Sequence, residues 1–430
     1  MKFGFISLGC SKNLVDSEKI ISLLKYNKQE IVSDPILADV IIINTCGFIT
    51  SAKEESINTI LEFINYHKKI IVCGCLAQRY KEEILKEIPE IDCLITIKEY
   101  SNLSKILSKF LNIHFNNDYD NVKRLISTKK HLGYLKIAEG CLHRCSFCAI
   151  PLIRGRYKSI DIDTLLIEAK QLLDQGVLEL VLIAQDTTGY GIDIYQKYSL
   201  DKLLIELNKL PFIWIRILYM YPDSITKELI DTINSLDKVI PYFDIPIQYG
   251  NDYILKLMNR KGNTKDIKDT INYIRTNIDN SIIRTTLIVG FPNENDDTFN
   301  DTLEYIKDIR FDHLGAFKYS KEEDTKAYKM IDNISEELKE ERYHQLMVVQ
   351  RDIINSDRLK LLNTIQLVVV ESYEGLRKRY SARSAYFAPD GIDGYVYIKS
   401  DMKLDISKFY YVKVIDIIGY DIMSEYYGDY

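Results

Sequence analysis

Three cysteines lie within eight positions in the stretch GCLHRCSFCAIP, and their spacing is the strongest chemical signal in the sequence. Cys141, Cys145 and Cys148 form the pattern C-x3-C-x2-C. A structural zinc site normally takes four ligands in paired knuckles, and neither a second C-x2-C nor a histidine pair is present to complete one. Cysteine thiolates are the usual ligands of iron–sulfur clusters. The pattern therefore favours a 4Fe–4S cluster with three irons bound by the protein and one iron left open.

Three further cysteines are dispersed over the first 80 residues, and each follows an apolar run that predicts a strand. Cys10 comes after FGFISL, Cys46 after DVIIIN and Cys75 after KIIVC. Loops that follow parallel strands emerge at one edge of a sheet, so these cysteines are expected to converge there. Cys73 and Cys93 lie on predicted strands and are interpreted as core residues. The sequence thus predicts two separate three-cysteine sites.

The elements that position these cysteines form three successive units. Residues 1–130 alternate apolar strands with helical patterns, which predicts a doubly wound parallel α/β domain. Residues 131–360 repeat the alternation with six strands, which predicts a partial (β/α)6 barrel with its chemistry at the carboxyl ends of the strands. Residues 363–430 contain short strand-like runs, which predict a small five-stranded β-barrel. The fold class expected is therefore a multidomain α/β protein with an all-β C-terminal module.

Several polar residues lie at or near the predicted carboxyl ends of the barrel strands. They are candidates for a cofactor or substrate pocket, although each could also be a buried, hydrogen-bonded structural residue. These candidates are Gln185, Asp186, Arg216, Gln248 and Arg284. Asp16 is interpreted as the N-cap of the first helix, and His143 as a surface residue of the cysteine loop.

Composition limits the classes of function. The chain has 430 residues, 46% of them apolar, and a formal net charge of −6, which argues against a protein that depends on electrostatic attraction to nucleic acid. Clustered cysteines in such a chain indicate metal binding rather than disulfides. The N-terminal apolar run is too short for a signal peptide, and no apolar run could form a transmembrane helix. A cytoplasmic protein without a membrane partner is therefore expected.

With Phe147 before its last cysteine, the loop resembles the signature of radical S-adenosylmethionine enzymes. The resemblance implies that the open iron binds the amino and carboxylate groups of S-adenosylmethionine. It also implies that an electron from the cluster cleaves the sulfonium to a 5′-deoxyadenosyl radical, with Phe147 near the adenine. LIVGFPNEN resembles a strand end that lies close to the cofactor in that family and contains Gly290. Asn293 and Asn295 stand where the family has Gly and Thr, and the turn is expected to persist because Asn tolerates left-handed backbone.

The whole chain resembles the methylthiotransferases of this superfamily. The resemblance implies that Cys10, Cys46 and Cys75 hold a second, auxiliary 4Fe–4S cluster, also with an open iron, and that the C-terminal module is a TRAM domain. The implied reaction inserts sulfur into a C–H bond and adds a methyl group. One S-adenosylmethionine supplies the methyl group and a second supplies the radical. An electron donor and a sulfur source are implied as partners.

The family has one branch that modifies adenosine in tRNA and another that modifies the β-carbon of an aspartate in small-subunit ribosomal protein twelve. The stretches that resemble the ribosomal-protein branch are SLGCSKNLVDSE, NTCGFITSAKEESI, IAQDTTGYG, RILYMYPD and DIPIQ. Tyr249 departs from that branch, which has His there. From 363 to 430 there are ten acidic and eight basic residues, a net charge of 8 − 10 = −2, which favours a protein substrate over tRNA. The tRNA enzyme and a non-catalytic iron–sulfur redox protein remain the alternatives.

Overall fold

The computed structural model describes all 430 residues. The N-terminal domain is a five-stranded parallel sheet in the order β2-β1-β3-β4-β5, as a doubly wound α/β domain requires. Its strands are β1 (Lys2–Ser7), β2 (Glu30–Val32), β3 (Val40–Thr45), β4 (Lys69–Gly74) and β5 (Cys93–Ile95). Its helices are α1 (Ser11–Tyr26), α2 (Thr50–Ile64), α3 (Cys75–Arg79), α4 (Lys81–Glu87) and α5 (Leu103–Leu111). The predicted fold class is confirmed, and β2, with only three residues, was too short to recognise from periodicity.

Helix α1 begins earlier than the sequence suggested. Its N-cap is Cys10, so the N-cap prediction for Asp16 is wrong. Asp16 lies inside α1 and is 1% exposed. Its carboxylate accepts hydrogen bonds from Lys136 and Arg154, both in the next domain. An aspartate in a helix interior is unfavourable by propensity, and these tertiary ion pairs override that preference.

The central domain contains six parallel strands in sequential order, with helices on their outer face. Its strands are β6 (Leu132–Lys136), β7 (Ala138–Glu139), β8 (Lys158–Ser159), β9 (Glu179–Ile183), β10 (Trp214–Ile217), β11 (Tyr242–Asp244), β12 (Ile282–Val289) and β13 (His313–Lys318), of which β7 and β8 form a separate antiparallel pair. Its helices are α6 (Ile150–Ile153), α7 (Ile162–Leu173), α8 (Leu200–Asn208), α9 (Lys227–Ser235), α10 (Asp252–Leu257), α11 (Thr264–Asn277), α12 (Asp296–Ile309) and α13 (Glu336–Asp357). The predicted partial barrel is confirmed. The six strands form two three-stranded halves. A single parallel bridge, between Ile215 and Val239, joins the two halves.

The C-terminal domain is a closed five-stranded barrel, as predicted, in the order β14-β15-β16-β18-β17. Its strands are β14 (Ile365–Glu374), β15 (Arg379–Ser384), β16 (Val396–Lys399), β17 (Phe409–Ile418) and β18 (Asp421–Asp429). This barrel packs against the amino-terminal ends of the central strands. Trp214 contacts Phe409 edge-on at 4.8 Å, and the Tyr242 hydroxyl donates to Asp393 at 2.6 Å. The carboxyl ends of the central strands therefore face away from the C-terminal domain.

Two of the predicted pocket residues belong to this domain interface. Arg216 is fully buried and pairs with Glu179 at 3.0 Å. Arg284 pairs with Asp244 at 2.9 Å and with Asp393 of the C-terminal barrel at 3.3 Å. Both side chains reach the C-terminal domain, since Arg216 also donates to the carbonyl oxygen of Ala385. Their assignment to the cofactor pocket is corrected, because only the docking of the third domain decides which end of each strand is covered.

The lowered pKa of the Asp393 carboxyl predicts that the stability of the protein depends on pH. Burial works to raise the pKa of its carboxyl, but His313 and Arg284 outweigh burial and hold that pKa at about 2. Because this lies below the ordinary value of about 3.9, the contribution is fully present above that value and is lost as pH falls towards 2. Asp393→Asn is expected to lower the free energy of unfolding by about 2 kcal/mol near neutral pH. The difference from wild type should shrink below about pH 4, measured by denaturant unfolding.

The matched control is Asp401→Asn, which changes an exposed carboxylate of the same domain. It should unfold like the wild type at every pH. A destabilisation by Asp393→Asn that stays constant down to about pH 2 would contradict the assigned ion pairs.

Candidate functional site

The loop with Cys141, Cys145 and Cys148 follows β7, at the carboxyl end of the first barrel strand. It turns sharply at Gly140, where φ is +76° and an added Cβ would lie 2.3 Å from the carbonyl oxygen of Arg156. Only glycine fits this position. The three sulfurs therefore stand at the barrel edge that the C-terminal domain leaves uncovered.

Hydrogen-bond donors surround these sulfurs. The His143 backbone N–H donates to Cys141 Sγ at 3.4 Å, and Arg260 donates to Cys145 Sγ at 3.8 Å. Burial raises the pKa of the Cys141 thiol to about 12, and also raises that of Cys148. Thiols of this kind become thiolates when a metal supplies compensating charge, because metal binding displaces the proton.

His143 is not a surface residue, which corrects the sequence-based interpretation. Its Nε2 lies 2.8 Å from Asp186 Oδ2, and its ring stacks on Tyr221 with 3.4 Å between centroids. Asp186 also accepts hydrogen bonds from Thr188 and from the Gly189 backbone. The loop is thus braced against the following strand end by a buried aspartate, and a sequence alone could not show that this partner was in reach.

The other predicted pocket residues occupy different environments around the same edge. Phe147 packs against the apolar core of the barrel. Gln185 donates to Glu139 at 3.0 Å, while its buried Oε1 has no partner. Gln248 has a φ of +72° after β11, and Gly290 has a φ of +73° after β12. All four lie near strand carboxyl ends, as their sequence positions predicted.

Three departures from the family pattern have simple structural outcomes. Asn293 adopts a φ of +71°, so the expected persistence of the turn is confirmed. Asn295 is the N-cap of α12 and accepts from the Thr298 backbone N–H at 2.9 Å. Tyr249 is 1% exposed within the barrel core, so it does not line the open edge.

The dispersed cysteines come together at the carboxyl edge of the N-terminal sheet. Cys10 is the N-cap of α1, Cys46 follows β3 and Cys75 begins α3. An added Cβ on Gly9 would lie 3.2 Å from the Cys46 sulfur, which shows how closely the first two loops approach. Burial raises the pKa of the Cys75 thiol to about 11, and Cys10 and Cys46 lie close enough to contribute to that increase.

Cys73 and Cys93 behave as predicted for core residues. Cys73 is 1% exposed and Cys93 packs against the same apolar cluster. No three Cys, His, Asp or Glu side chains are close enough together to bind a single metal ion. In a four-iron cluster each thiolate binds a different iron, so its three ligands are held further apart than those of a single ion. The donor set of each trio, three soft sulfurs with one coordination site unfilled, fits such a cluster.

Arg154 connects the two trios and was missed by the sequence analysis. It follows α6, six residues after Cys148, and its side chain reaches into the N-terminal domain. Its Nη2 donates to Cys75 Sγ at 3.4 Å and also to Asn13 Oδ1. Its Nη1 donates to Asp16 at 2.7 Å and to Glu139 at 3.2 Å. A single guanidinium thereby ties the loop of one trio to a cysteine of the other.

A lysine, Lys136, completes this buried network around Arg154. Lys136 pairs with Asp16 at 2.6 Å and with Glu139 at 2.7 Å. A lysine inside the apolar strand YLKIA was the one available sequence signal, because a charge on a buried strand needs a partner. The partner, Asp16, lies 120 positions away in sequence.

Glu322 forms another link between the two domains. It lies in the loop after β13, is 2% exposed, and pairs with Lys53 and Arg79 at 2.9 Å each. Arg79 also donates to the carbonyl oxygen of Gly47, next to Cys46. The two cysteine-bearing edges are therefore held face to face at two places.

Arg154→Met is expected to lower the free energy of unfolding by about 3–5 kcal/mol, because it leaves buried carboxylates without their cation. It should also reduce the iron retained by the N-terminal trio. Arg154→Lys keeps the charge but loses the forked geometry of the guanidinium. Its free energy of unfolding and its iron content should lie between those of Arg154→Met and the wild type. The measurements are denaturant unfolding and iron per protein. Arg144→Met, an exposed arginine of the cysteine loop, is the control. Wild-type stability and iron in Arg154→Met would contradict the bridging role.

Family comparisons divide the chain in the same way. Residues 2–96 match the uncharacterized protein family UPF0004, residues 135–306 match the radical SAM superfamily and residues 364–426 match the TRAM domain. The first match contains the dispersed cysteines, and the second contains the cysteine loop.

Curated relatives match over the whole chain. Ribosomal protein uS12 methylthiotransferase RimO of Clostridium kluyveri is 47% identical and covers 100% of this chain and 99% of its own length. RimO of Clostridium novyi is 45% identical, covering 98% and 97%. RimO of Aquifex aeolicus is 44% identical, covering 98% and 96%.

Solved structures support the fold alone. The radical S-adenosylmethionine methyltransferase TsrM from Kitasatospora setae, with cobalamin and a [4Fe-4S] cluster bound, matches with a TM-score of 0.54 at 12% identity over 74% of each chain. The cobalamin-dependent radical enzyme OxsB matches with a TM-score of 0.51 at 13% identity, covering 82% of this chain and 56% of its own. The partial barrel is thus an arrangement found in radical S-adenosylmethionine enzymes.

Proposed function

The chain belongs to the RimO family of ribosomal protein uS12 methylthiotransferases, and we propose that its two cysteine trios hold the two 4Fe–4S clusters of that reaction. It is a radical S-adenosylmethionine enzyme that transfers a methylthio group to uS12, with S-adenosylmethionine and 4Fe–4S clusters as cofactors. The target is the β-carbon of an aspartate. Bound at the two trios, these cofactors supply the radical, the sulfur atom and the methyl group.

Cys141, Cys145 and Cys148 bind the radical S-adenosylmethionine cluster, and Cys10, Cys46 and Cys75 bind the auxiliary cluster. The observation that carries this assignment is the contact of Arg154 with Cys75, since it holds the two trios at facing edges of adjacent domains. A reaction in which one centre activates a carbon atom and the other supplies its sulfur needs the two centres at a fixed distance and orientation. The rate of such a reaction falls steeply when the reactants are misplaced.

The other predicted pocket residues lie near the carboxyl ends of the barrel strands, around the proposed cofactor site. Phe147, Gln185, Gln248 and Gly290 border the cofactor, and the unpartnered Oε1 of Gln185 is available to a donor of the cofactor or substrate. Asp186 orients the loop through His143.

A protein substrate fits the C-terminal barrel better than tRNA does. Two of the four basic residues in GLRKRYSARS are engaged within the fold: Arg379 pairs with Glu374 at 2.8 Å, and the buried Arg383 pairs with Glu371 at 3.1 Å. Engaged guanidinium groups are not free to bind phosphates, which dominate affinity for nucleic acid. The tRNA adenosine enzyme is therefore the less favoured function.

Two further partners complete the proposal. A one-electron donor must reduce the cluster at the barrel loop, and a sulfur source must restore the sulfur that each turnover removes. None of the helices is both long and apolar enough to pass through a membrane. The cytoplasm, where ribosomal proteins are made, is the proposed location.

The test uses anaerobically reconstituted full-length protein with a peptide of the uS12 loop, S-adenosylmethionine, a sulfide source and a reductant. Mass spectrometry should show a methylthio group in place of one hydrogen on the aspartate. A transcript of tRNA in the same mixture should remain unmodified. Product on tRNA with none on the peptide would reject the proposed substrate.

A further inference from the structure

Lys12 is a buried lysine without a carboxylate partner. It lies in the first turn of α1, two residues after Cys10, and is 8% exposed. Its Nζ lies 3.3 Å from the centre of the Tyr219 ring. No Asp or Glu oxygen lies within ion-pair distance of that nitrogen. No carboxylate balances its charge, which faces one aromatic ring and the sulfur of Cys10.

The other buried lysines show what is missing. Lys136 pairs with two carboxylates, Asp16 and Glu139. Lys339 also pairs with two, Asp332 and Glu336. Removing an ammonium group from water costs several kcal/mol unless an anion and hydrogen bonds compensate. Lys12 is buried like Lys136 and Lys339 but has no carboxylate partner. This is expected of a site in which the ligand brings the carboxylate.

Tyr219, which supports Lys12, is itself held in an unusual conformation. It follows β10 and has a φ of +63°. This left-handed backbone conformation is strained for an aromatic residue. Its N–H donates to Asp244 at 2.9 Å, and its carbonyl oxygen accepts from the Thr187 N–H at 3.0 Å. Bonds to both neighbouring strands thus fix the strained residue, and strain that is fixed in this way is characteristic of binding sites.

This pair joins the N-terminal domain to the central domain. Lys12 is on the helix that begins at Cys10, and Tyr219 is at the carboxyl end of a barrel strand, the same end as the loop with Cys141. A group bound by Lys12 would therefore lie where the N-terminal sheet edge meets the open edge of the barrel. This is the space in which the two centres must reach one substrate atom.

We propose that Lys12 binds the side-chain carboxylate of the target aspartate and selects an acidic residue as substrate, an inference that rests on the proposed function. The carboxylate supplies the anion that Lys12 lacks. The β-carbon is bonded directly to the carboxyl carbon, so binding the carboxylate also positions the hydrogen that is removed. Adenosine has no anionic group on its base, and it would leave the ammonium unpaired.

The test measures binding of two labelled uS12 loop peptides, one with Asp and one with Asn at the target position, by fluorescence anisotropy with reconstituted protein. The wild type should bind the Asp peptide more tightly. Lys12→Met should weaken Asp-peptide binding by about tenfold to a hundredfold, the range expected for one charged hydrogen bond, and should bind both peptides equally. Lys12→Arg should retain part of the preference. Iron per protein, measured in parallel, should stay at the wild-type level.

Lys25→Met, an exposed lysine on the same helix, is the control and should bind like wild type. Tyr219→Leu, a change in the central domain rather than on the helix that follows Cys10, should also reduce the preference for Asp, because it removes the support of Lys12. The inference is overturned if Lys12→Met or Tyr219→Leu keeps the full preference, or if Lys12→Met only loses auxiliary iron. If the wild type methylthiolates neither peptide, the proposed function fails; if it modifies the Asp peptide while Lys12→Met discriminates normally, only the role of Lys12 fails.

Discussion

Cys145→Ala is expected to abolish the cleavage of S-adenosylmethionine, with no 5′-deoxyadenosine detectable by chromatography after reduction. The variant keeps two of the three thiolates on the barrel loop, and these cannot replace the third iron ligand. Arg260, which donates to Cys145 Sγ at 3.8 Å, would also lose its acceptor. Iron per protein should fall by about one cluster, since each trio holds its cluster independently.

Cys93→Ala is the matched control for this experiment. Cys93 is a partly buried cysteine that packs against the core of the N-terminal sheet, away from both trios. Its loss should cost some stability but leave both iron content and cleavage near wild type. Cleavage that persists in Cys145→Ala would contradict the assignment of the barrel loop.

Cys46→Ala is expected to separate the two halves of the reaction. The auxiliary cluster should be lost, and with it all methylthio product on the uS12 peptide, while the barrel loop still cleaves S-adenosylmethionine. Cys46 is in the N-terminal domain, and its backbone N–H and carbonyl are held by the Ser56 hydroxyl rather than by the barrel. The change should therefore leave the barrel loop folded.

The measurements for Cys46→Ala are iron and sulfide per protein, 5′-deoxyadenosine and the peptide mass. Unchanged iron in both Cys46→Ala and Cys145→Ala would show that the protein does not hold two clusters. Methylthio product from Cys46→Ala would show that the auxiliary trio is not required.

The positions of the six cysteines could be predicted from sequence because their signals are local. The loop with Cys141, Cys145 and Cys148 is contiguous, so its spacing is readable directly. The dispersed trio was also readable, since each cysteine follows an apolar run and parallel strands place such positions at one edge. Asn293 and Asn295 were equally predictable, because left-handed backbone and helix capping depend on the residue and its immediate neighbours.

Side-chain partners that lie far apart in sequence were not predictable. Asp16 was taken for a helix cap and His143 for a surface residue, yet Asp16 is buried and His143 is partly covered by contacts from other segments. Arg216 was on a strand as expected, but its side chain donates to the carbonyl oxygen of Ala385 in the C-terminal domain. Periodicity identifies an element and its apolar face, whereas it carries no information about what another domain places against that face.

The class of each domain and the two groups of cysteines follow from the order of amino acids, since hydrophobic periodicity, local spacing and the parallel-sheet rule are enough to derive them. The relation between the two groups is a property of the folded molecule. Arg154 reaches Cys75 across 79 positions of sequence, and Lys12 lies against Tyr219 without a carboxylate. Such contacts form only when the three domains dock, because burial then decides which charges are neutralised within the protein and which remain available to a ligand.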